Sequence, residues 1–454
     1  MEPETDALAN LASGQLSRRA FILRMSALGA SATGIASVLA ACDTSQSGKP
    51  KADARPTGEP EGNLVLYKGP FSPDEEAQVG KLLKDFGAKH PKVAAKQEQF
   101  AWEAMAEQFP TRFQSNNPPD VNAVPDLEYA KWVQRGAFED LTPYVTDPSW
   151  KKEFEAIPSE IWDIARTAEG KIYGVPWWGV VLSMLFVNKD LLERAGVTDF
   201  NSSLDAFASA VRKVSELDAK TYGFAMRTDQ FNPAAFDWAA WLHTSGTRLF
   251  NDDWTKCTAN TPEAQKTFQV LADLQTQPNV APKPGAYDQQ GLQDLFLGGR
   301  IGIAHSGNSF VAELRNESPK FAYDVAAIPP GPGGNQATGM WGVGLLTMSS
   351  KSPSKPAAWE LIKYLTSADV LVDYFQEVAL LPNRSDLADR MYQDDPYTAK
   401  VVTEILPDVR GWQLHPDLNQ MLGRAQASFD NLYRGNKSAA AALKEVCDVI
   451  EGIL

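Results

Sequence analysis

Residues 63–87 read NLVLYKGPFSPDEEAQVGKLLKDFG, and this stretch decides the fold class. An apolar strand over 63–68 stops at a Gly-Pro pair, and Ser72 is placed to cap the helix that follows. Apolar residues then recur at helical spacing until Gly87, where we expect the helix to end. A strand, a capped helix and a second strand predict an α/β fold with a mainly parallel sheet.

The same alternation continues along the chain, without a short-period repeat of the kind that marks a solenoid. We predict further strands at 119–124, 181–187, 301–304, 325–328 and 345–348. We predict helices at 127–135, 191–195, 201–217, 262–275 and 356–365, and a wholly helical tail at 396–454.

Composition excludes several classes of function. The 454 residues carry a formal net charge of −14, which argues against nucleic acid as a partner and against electrostatic docking on anionic lipid. The sequence contains no Gly-x-Ser-x-Gly, phosphate-binding glycine loop or His-Glu-x-x-His motif, so we expect a protein that is not an enzyme. The four histidines are dispersed without metal-ligand spacing, and we expect no metal and no cofactor.

The N-terminus predicts export and lipid anchoring. Arg18-Arg19 followed by Phe21 resembles a twin-arginine export signal, and Leu39-Ala40-Ala41-Cys42 resembles a lipobox whose cysteine is lipidated. We therefore assign residues 1–41 to a signal peptide and 42–62 to a lipidated, flexible tether. The protein is expected at the cell membrane, on its extracytoplasmic face.

Two cysteines remain, Cys257 and Cys447. Export permits a disulfide between them, but 190 residues separate the pair and sequence does not give their distance in space. We expect two separate buried thiols.

A set of ordered blocks resembles the family of bacterial extracellular solute-binding proteins that includes maltose-binding protein. The resemblance runs from about Asn63 to Leu454. Its blocks are GKIYGVP at 170–176, FVNKDLL at 186–192, FLGGRIG at 296–302, IPPGP at 328–332, GVG at 342–344 and LPNR at 381–384.

The resemblance implies a type II periplasmic-binding-protein fold with two hinged lobes and a ligand in the cleft between them. Lobe 1 would comprise 63–179 and 345–384, and lobe 2 would comprise 180–340 and 385–454. Such a protein works as a monomer, closes on its ligand and delivers it to the permease of an ABC importer.

Aromatic residues near the lobe crossings point to a sugar, because flat rings suit the C–H faces of a sugar ring. Trp177 and Trp178 follow Pro176, and Trp341 precedes Gly342, in segments that we interpret as loops. Trp238 and Trp241 lie three residues apart, where an amphipathic core face explains the spacing as well as a binding site does.

Further candidate ligand contacts lie at or after the ends of predicted strands or, for Arg384, after the third crossing between the lobes. They are Tyr67, Phe71, Asp126, Asn308 and Arg384. Related proteins often have a tryptophan where this chain has Asn308, so a maltose-like stacking arrangement is not implied. Arg384 has two interpretations, one as a contact to a hydroxyl, carboxylate or phosphate of the ligand and one as a salt bridge between the lobes.

Other functions stay open at this level. A polyamine would be bound by acids and aromatic cages, and a phosphorylated polyol or an iron chelate would need its own set of contacts. An exported carbohydrate-active enzyme is a less favoured reading, and so is a membrane-tethered adaptor without a small ligand.

Overall fold

The computed structural model describes residues 58–71, 75–167, 169–181, 183–228, 232–251, 253–333, 340–378, 380–391, 395–405, 410–413 and 415–454. The predicted export signal at Arg18-Arg19 and the predicted lipidation site at Cys42 lie outside these residues. Within the described ranges, every helix is too short or too polar to cross a lipid bilayer.

The strands, in chain order, are β1 Gly62–Lys68, β2 Val93–Gln99, β3 Val121–Pro125, β4 Gly174–Val181, β5 Met184–Asn188, β6 Tyr222–Ala225, β7 Ile301–Ser306, β8 Tyr323–Ala326, β9 Met340–Met348, β10 Leu381–Pro382 and β11 Arg410–Gly411.

The helices are α1 Glu75–Lys89, α2 Met105–Phe113, α3 Asp126–Gln134, α4 Thr142–Val145, α5 Lys151–Ala156, α6 Ser159–Ala165, α7 Lys189–Arg194, α8 Leu204–Ser215, α9 Asn232–Thr244, α10 Pro262–Thr276, α11 Gln289–Leu297, α12 Phe310–Glu317, α13 Lys355–Leu365, α14 Ala368–Val378, α15 Ala388–Met391, α16 Pro396–Lys400, α17 Leu418–Tyr433 and α18 Ala439–Glu451.

A large sheet has the strand order β10–β4–β9–β3–β1–β2, with β11 beside the start of β9. The neighbours β1/β2, β1/β3 and β9/β11 are parallel, whereas β3/β9, β4/β9 and β4/β10 are antiparallel. A small sheet has the order β6–β7–β5–β8, in which only the described pair β6/β7 is parallel.

The prediction of mainly parallel sheets is therefore wrong in detail, and both sheets are mixed. The cause lies in the segments that connect the sheets. Strand β9 enters the large sheet from the small-sheet side, so it runs opposite to β3 and needs no crossover helix. Helical spacing in the sequence predicts that strands alternate with helices, but it does not predict strand direction.

Each sheet carries its own hydrophobic core. The large-sheet core includes Leu66, Phe86 and Trp132, all fully buried. The small sheet is covered on both faces: Leu185 and Val187 of β5 join one cluster, and Met184 and Phe186 join another. This division follows from the alternation of side chains along a strand.

The prediction of two separate thiols is wrong, because Cys257 and Cys447 form a disulfide. Their Cα atoms are 5.2 Å apart, and Glu451 of α18 also accepts a hydrogen bond from the backbone N–H of Cys257 at 3.1 Å. The disulfide joins helix α18 to the segment that follows α9.

Smaller differences concern element ends. Helix α1 continues past Gly87 to Lys89, and the predicted helical tail contains the short strand β11. Helix α10 begins at the predicted Pro262, after the capping residue Thr261, whereas α8 begins at Leu204, after the capping residue Ser203 and three residues later than predicted.

Candidate ligand-binding site

The carboxyl ends of β1 and β2 lie at the same edge of the large sheet, because the two strands are parallel neighbours. The loops that follow them therefore meet. Trp102, after β2, donates from its indole Nε1 to the carbonyl oxygen of Pro70, after β1, at 2.6 Å. Ligands of open α/β sheets bind outside the carboxyl ends of strands, so this edge is the natural place for a site.

Three aromatic side chains form what we call the aromatic corner: Phe71, Trp102 and Trp178. The Phe71 and Trp178 rings are 5.0 Å apart between centroids, Phe71 and Trp102 are 5.8 Å apart, and Trp102 and Trp178 are 6.4 Å apart. Trp178 is buried, whereas Phe71 and Trp102 keep part of their surface exposed. The exposed ring surface is available to an apolar or C–H-rich ligand face.

A buried ion pair holds the loop that carries Phe71. Lys68 and Glu75 are completely buried, and their Nζ and Oε1 atoms are 2.6 Å apart. Glu75 also accepts the backbone N–H of Phe71, and the Lys68 ammonium lies 4.6 Å from the centre of the Phe71 ring. Burial lowers the pKa of Lys68, and the Glu75 carboxylate opposes that shift. The pair positions the aromatic ring and leaves no free charge for a ligand.

A bulge in β4 explains how Trp177 and Trp178 are both buried. The register between β4 and β9 shifts between Pro176 and Trp178, which frees adjacent side chains from strict alternation. Trp178 packs over Gly344 of β9, where any Cβ would overlap the indole ring. The aromatic corner thus rests directly on the segment that connects the two sheets.

The small sheet presents a buried charged network near the carboxyl ends of β6 and β7. Asp237 of α9 forms a bidentate ion pair with Arg227, whose Nε lies 3.0 Å from Oδ2 of Asp237. The Asp237 carboxylate also accepts a hydrogen bond from the Ser183 hydroxyl at 3.3 Å. His305 Nδ1 lies 3.5 Å from the same carboxylate. Burial lowers the pKa of His305 to about 4, so its ring is neutral at pH 7.

Comparison with known proteins identifies the family. A model of bacterial extracellular solute-binding proteins matches residues 72–371, which is more than half of the chain. The chain belongs to this family. The resemblance seen in the sequence is confirmed, and the family agrees with the expectation of a binding protein rather than an enzyme.

Individual members resemble the chain over most of its length. A protein of Brucella abortus (strain 2308) is 26% identical over 407 residues, covering 89% of this chain and 95% of that one. The diacetylchitobiose-binding protein DasA of Streptomyces coelicolor is 24% identical over 323 residues, covering 67% and 70%.

A solved structure gives the fold. The solute-binding protein of Thermotoga lettingae bound with alpha-D-tagatose superposes with a TM-score of 0.77 at 21% identity, covering 86% of this chain and 99% of that one. The predicted type II periplasmic-binding-protein fold is confirmed.

Three aromatic candidates of this family member have packing roles. Trp177 stacks against Tyr374 and donates to the Leu365 carbonyl at 3.1 Å. Tyr67 packs among phenylalanines of the large-sheet core, and Trp241 is completely buried in the small-sheet core. The spacing of Trp238 and Trp241 is therefore that of a core face.

Asn308 and Asp126 bind backbone groups of the connecting segments. Asn308 Oδ1 accepts from the Val181 N–H at 2.8 Å, and Asp126 Oδ2 accepts from the Val343 N–H at 3.0 Å. Trp341 belongs to β9 and pairs with Val181, but its side chain lies outside the described part of the structure. Trp178 and Trp341 are thus strand residues, and the prediction of loops is wrong.

Arg384 forms a salt bridge, but its partner is Asp386, two residues along the chain, so this local bridge does not hold the two lobes together. Its guanidinium pairs with both carboxylate oxygens of Asp386, at 3.0 and 2.8 Å, and donates to the Thr366 carbonyl at 3.2 Å. It lines a pocket of about 380 Å³ with Lys363 and Arg390, which pair with Glu360 and Asp369. Each of these three cations has an acidic partner, and Lys152 and Glu153 also line the pocket.

The sequence reasoning missed Trp102 and the Arg227–Asp237 pair. No strand with defined ends was predicted directly before Trp102. The sequence therefore did not indicate that Trp102 lies close to Phe71. Arg227 lies two residues after the end of β6, a position typical of site residues in α/β sheets, and this signal was available in the sequence.

Proposed function

We propose that this protein captures a carbohydrate between its two lobes and delivers it to the permease of an ABC importer. The lobes would comprise 63–179 with 345–384, and 180–340 with 385–454. The observation that carries the proposal is the aromatic corner, which combines partly exposed rings with direct packing on a segment that connects the sheets.

The chemistry of the corner fits a sugar. A sugar ring has apolar C–H faces that pack on aromatic surfaces, and hydroxyl groups that need hydrogen-bonding partners in a water-excluded site. The ligands of two similar proteins, diacetylchitobiose and alpha-D-tagatose, are carbohydrates. These likenesses support the class of ligand and leave the particular sugar to experiment.

Delivery follows from differential binding to two arrangements of the lobes. A ligand that contacts both lobes favours the closed arrangement, and moving a hinge from 1:99 to 99:1 requires about 5.5 kcal/mol of differential affinity. A few buried hydrogen bonds and ring contacts supply energy of this order. The permease then recognises closure, and no reaction of the ligand is required.

A thermal-shift screen against monosaccharides, oligosaccharides, polyols and polyamines tests the proposal. A ligand at 100 times its Kd stabilises the folded protein by about 2.7 kcal/mol, which gives a clear rise in Tm. We expect sugars to raise the Tm and Trp102→Ala to weaken the best of them about tenfold, as the loss of one aromatic contact predicts.

The matched control is Trp254→Ala, which removes an indole that is 41% exposed and packs against His415 on the small-sheet side. It should leave sugar affinity unchanged. If polyamines raise the Tm and sugars do not, or if the two tryptophan variants weaken binding equally, the sugar proposal fails.

The alternative ligands find less support. A phosphorylated polyol needs convergent cations. However, Lys68 pairs with Glu75 and Arg384 pairs with Asp386. A polyamine needs free carboxylates, yet Asp126 is buried and accepts two backbone N–H groups.

We further propose export through Arg18-Arg19, lipidation of Cys42 and function as a membrane-anchored monomer. The disulfide between Cys257 and Cys447 supports export, since disulfides persist in oxidising compartments. Cys42→Ala should release the protein from the membrane fraction, and replacing both arginines by lysine should reduce export. Retention of the Cys42 variant in membranes would contradict the anchoring.

A further inference from the structure

Strand β4, which leads into β5, and strand β9, which follows β8, connect the two sheets. Buried polar side chains hold both of these connecting segments. Asn308 binds both backbone groups of Val181. Its side-chain Oδ1 accepts the Val181 N–H at 2.8 Å, and its backbone N–H donates to the Val181 carbonyl at 2.9 Å. Asn383 donates from Nδ2 to the Trp178 carbonyl at 2.7 Å. Asp126 accepts the Val343 N–H at 3.0 Å. All three side chains belong to residues that are less than a tenth exposed.

Asp126 differs from the two asparagines because it ionises. Its second oxygen accepts the N–H of Leu127 at 2.8 Å, so both carboxylate oxygens face backbone donors. Burial raises the pKa of Asp126 to about 7, although these backbone hydrogen bonds oppose the shift. The group therefore exchanges its proton in the physiological range, which an asparagine in the same place would not do.

Helix α3, which begins at Asp126, lies against elements of both sheets. It packs on β3 and β9 of the large sheet, while Leu127 belongs to the core cluster of the small sheet. Glu128 accepts a hydrogen bond from Asn419 of α17, which also belongs to the small-sheet side. A change in the angle between the lobes must therefore alter the packing around the Asp126 carboxyl.

Few other charges act on this carboxyl. Strands β3 and β9 contain no ionisable side chain. Helix α17 contributes Arg424, Asp430 and Tyr433, and α3 itself carries Glu128, Tyr129 and Lys131. Burial raises the pKa of Asp126 and the backbone hydrogen bonds lower it, so this pKa depends on how well the position is shielded from water.

We propose that Asp126 is a positioning residue of the hinge, whose proton stabilises the lobe arrangement seen in this structure. The inference rests on the proposed function only in assuming that the lobes move. A proton binds most tightly to the arrangement that buries the carboxyl, and the charged form favours any arrangement that hydrates it. Above pH 7, each further pH unit lowers the ratio of molecules in this arrangement to molecules in the hydrated arrangement by up to tenfold.

Small-angle X-ray scattering of the ligand-free protein between pH 5.5 and 8.5 tests this proposal. We expect the radius of gyration of the wild type to change with a midpoint near pH 7. Asp126→Asn keeps the shape and a hydrogen-bond acceptor but cannot titrate, so its radius should be independent of pH. Asp126→Glu keeps a titrating carboxyl and should restore a pH-dependent change, with a shifted midpoint.

Asp120→Asn is the matched control. Asp120 is also buried, and it accepts the Val65 N–H and the Ser352 hydroxyl within the large-sheet lobe, away from the connecting segments. It should keep the wild-type pH response. A wild-type radius that does not change with pH, or an unchanged midpoint in Asp126→Asn, would overturn the proposal. Because no sugar is present, these results do not depend on whether the ligand is a carbohydrate.

Discussion

The two sheets carry different chemistry at the ends that face the connecting segments. The large sheet presents aromatic rings, two of them partly exposed, and uses its buried Lys68–Glu75 pair to hold one ring in place. The small sheet presents Arg227, Asp237 and His305, all buried and gathered around one carboxylate. The partly exposed groups at these ends are therefore aromatic and belong to the large sheet, whereas the charged groups are buried and fix geometry.

Breaking the charged network should have the largest effect. Asp237→Ala leaves the Arg227 guanidinium buried without its carboxylate partner, and removing one partner of a buried pair costs about 3–5 kcal/mol. We expect the free energy of unfolding in urea to fall by that amount. The exposed pair Lys444–Asp448 supplies a control, since Asp448→Ala should change stability by less than about 1 kcal/mol. Equal losses in the two variants would show that the network is not structural.

Overpacking the aromatic corner should have an intermediate effect. In Gly344→Ala the new methyl group overlaps the Trp178 indole, and forcing extra volume into a packed site costs about 1–3 kcal/mol. The displaced ring should also weaken ligand binding, as measured by calorimetry with the best sugar of the screen. Gly80→Ala is the control, because a Cβ there meets nothing within 4 Å and alanine favours the helix. A Gly344 variant with normal stability and affinity would show that Trp178 has room to move.

Much of this contrast could be predicted from sequence, but not all of it. The strand–helix alternation from residue 63 and the ordered blocks led to the fold, because hydrophobic periodicity and spacing are local properties. Strand direction, the disulfide and the burial of Tyr67 and Trp177 depend on which distant segments meet. Asn308 and Asp126 illustrate this: they were predicted as ligand contacts because they follow strands, and the structure shows both bound to backbone N–H groups of distant segments.

The smallest expected effect is on the pH dependence of folding stability, to which one buried group on each sheet side contributes with opposite sign. Burial raises the pKa of Asp126 to about 7, so between pH 7 and about 4 the folded state binds more protons than the unfolded chain, and acidification stabilises the fold. Burial lowers the pKa of His305 to about 4, so between its ordinary value near 6.5 and about 4 the unfolded chain binds more protons, and acidification destabilises the fold. The two contributions oppose each other, and we expect the wild type to change by about 1 kcal/mol or less between pH 7.5 and 5.5 from this source.

Single variants should separate the two contributions. Asp126→Asn leaves the histidine alone, so the free energy of unfolding should fall by about 1 kcal/mol on acidification from pH 7.5 to 5.5. His305→Gln leaves the carboxyl alone, so acidification should then raise stability. Urea unfolding at pH 7.5 and at pH 5.5 gives the slope of the free energy of unfolding against pH for each variant. This slope is independent of any stability loss that the substitution causes equally at both pH values. Slopes of the same sign in the two variants would mean that at least one of these groups is hydrated in solution, and the contrast between the two sheets would then not extend to their buried ionisable groups.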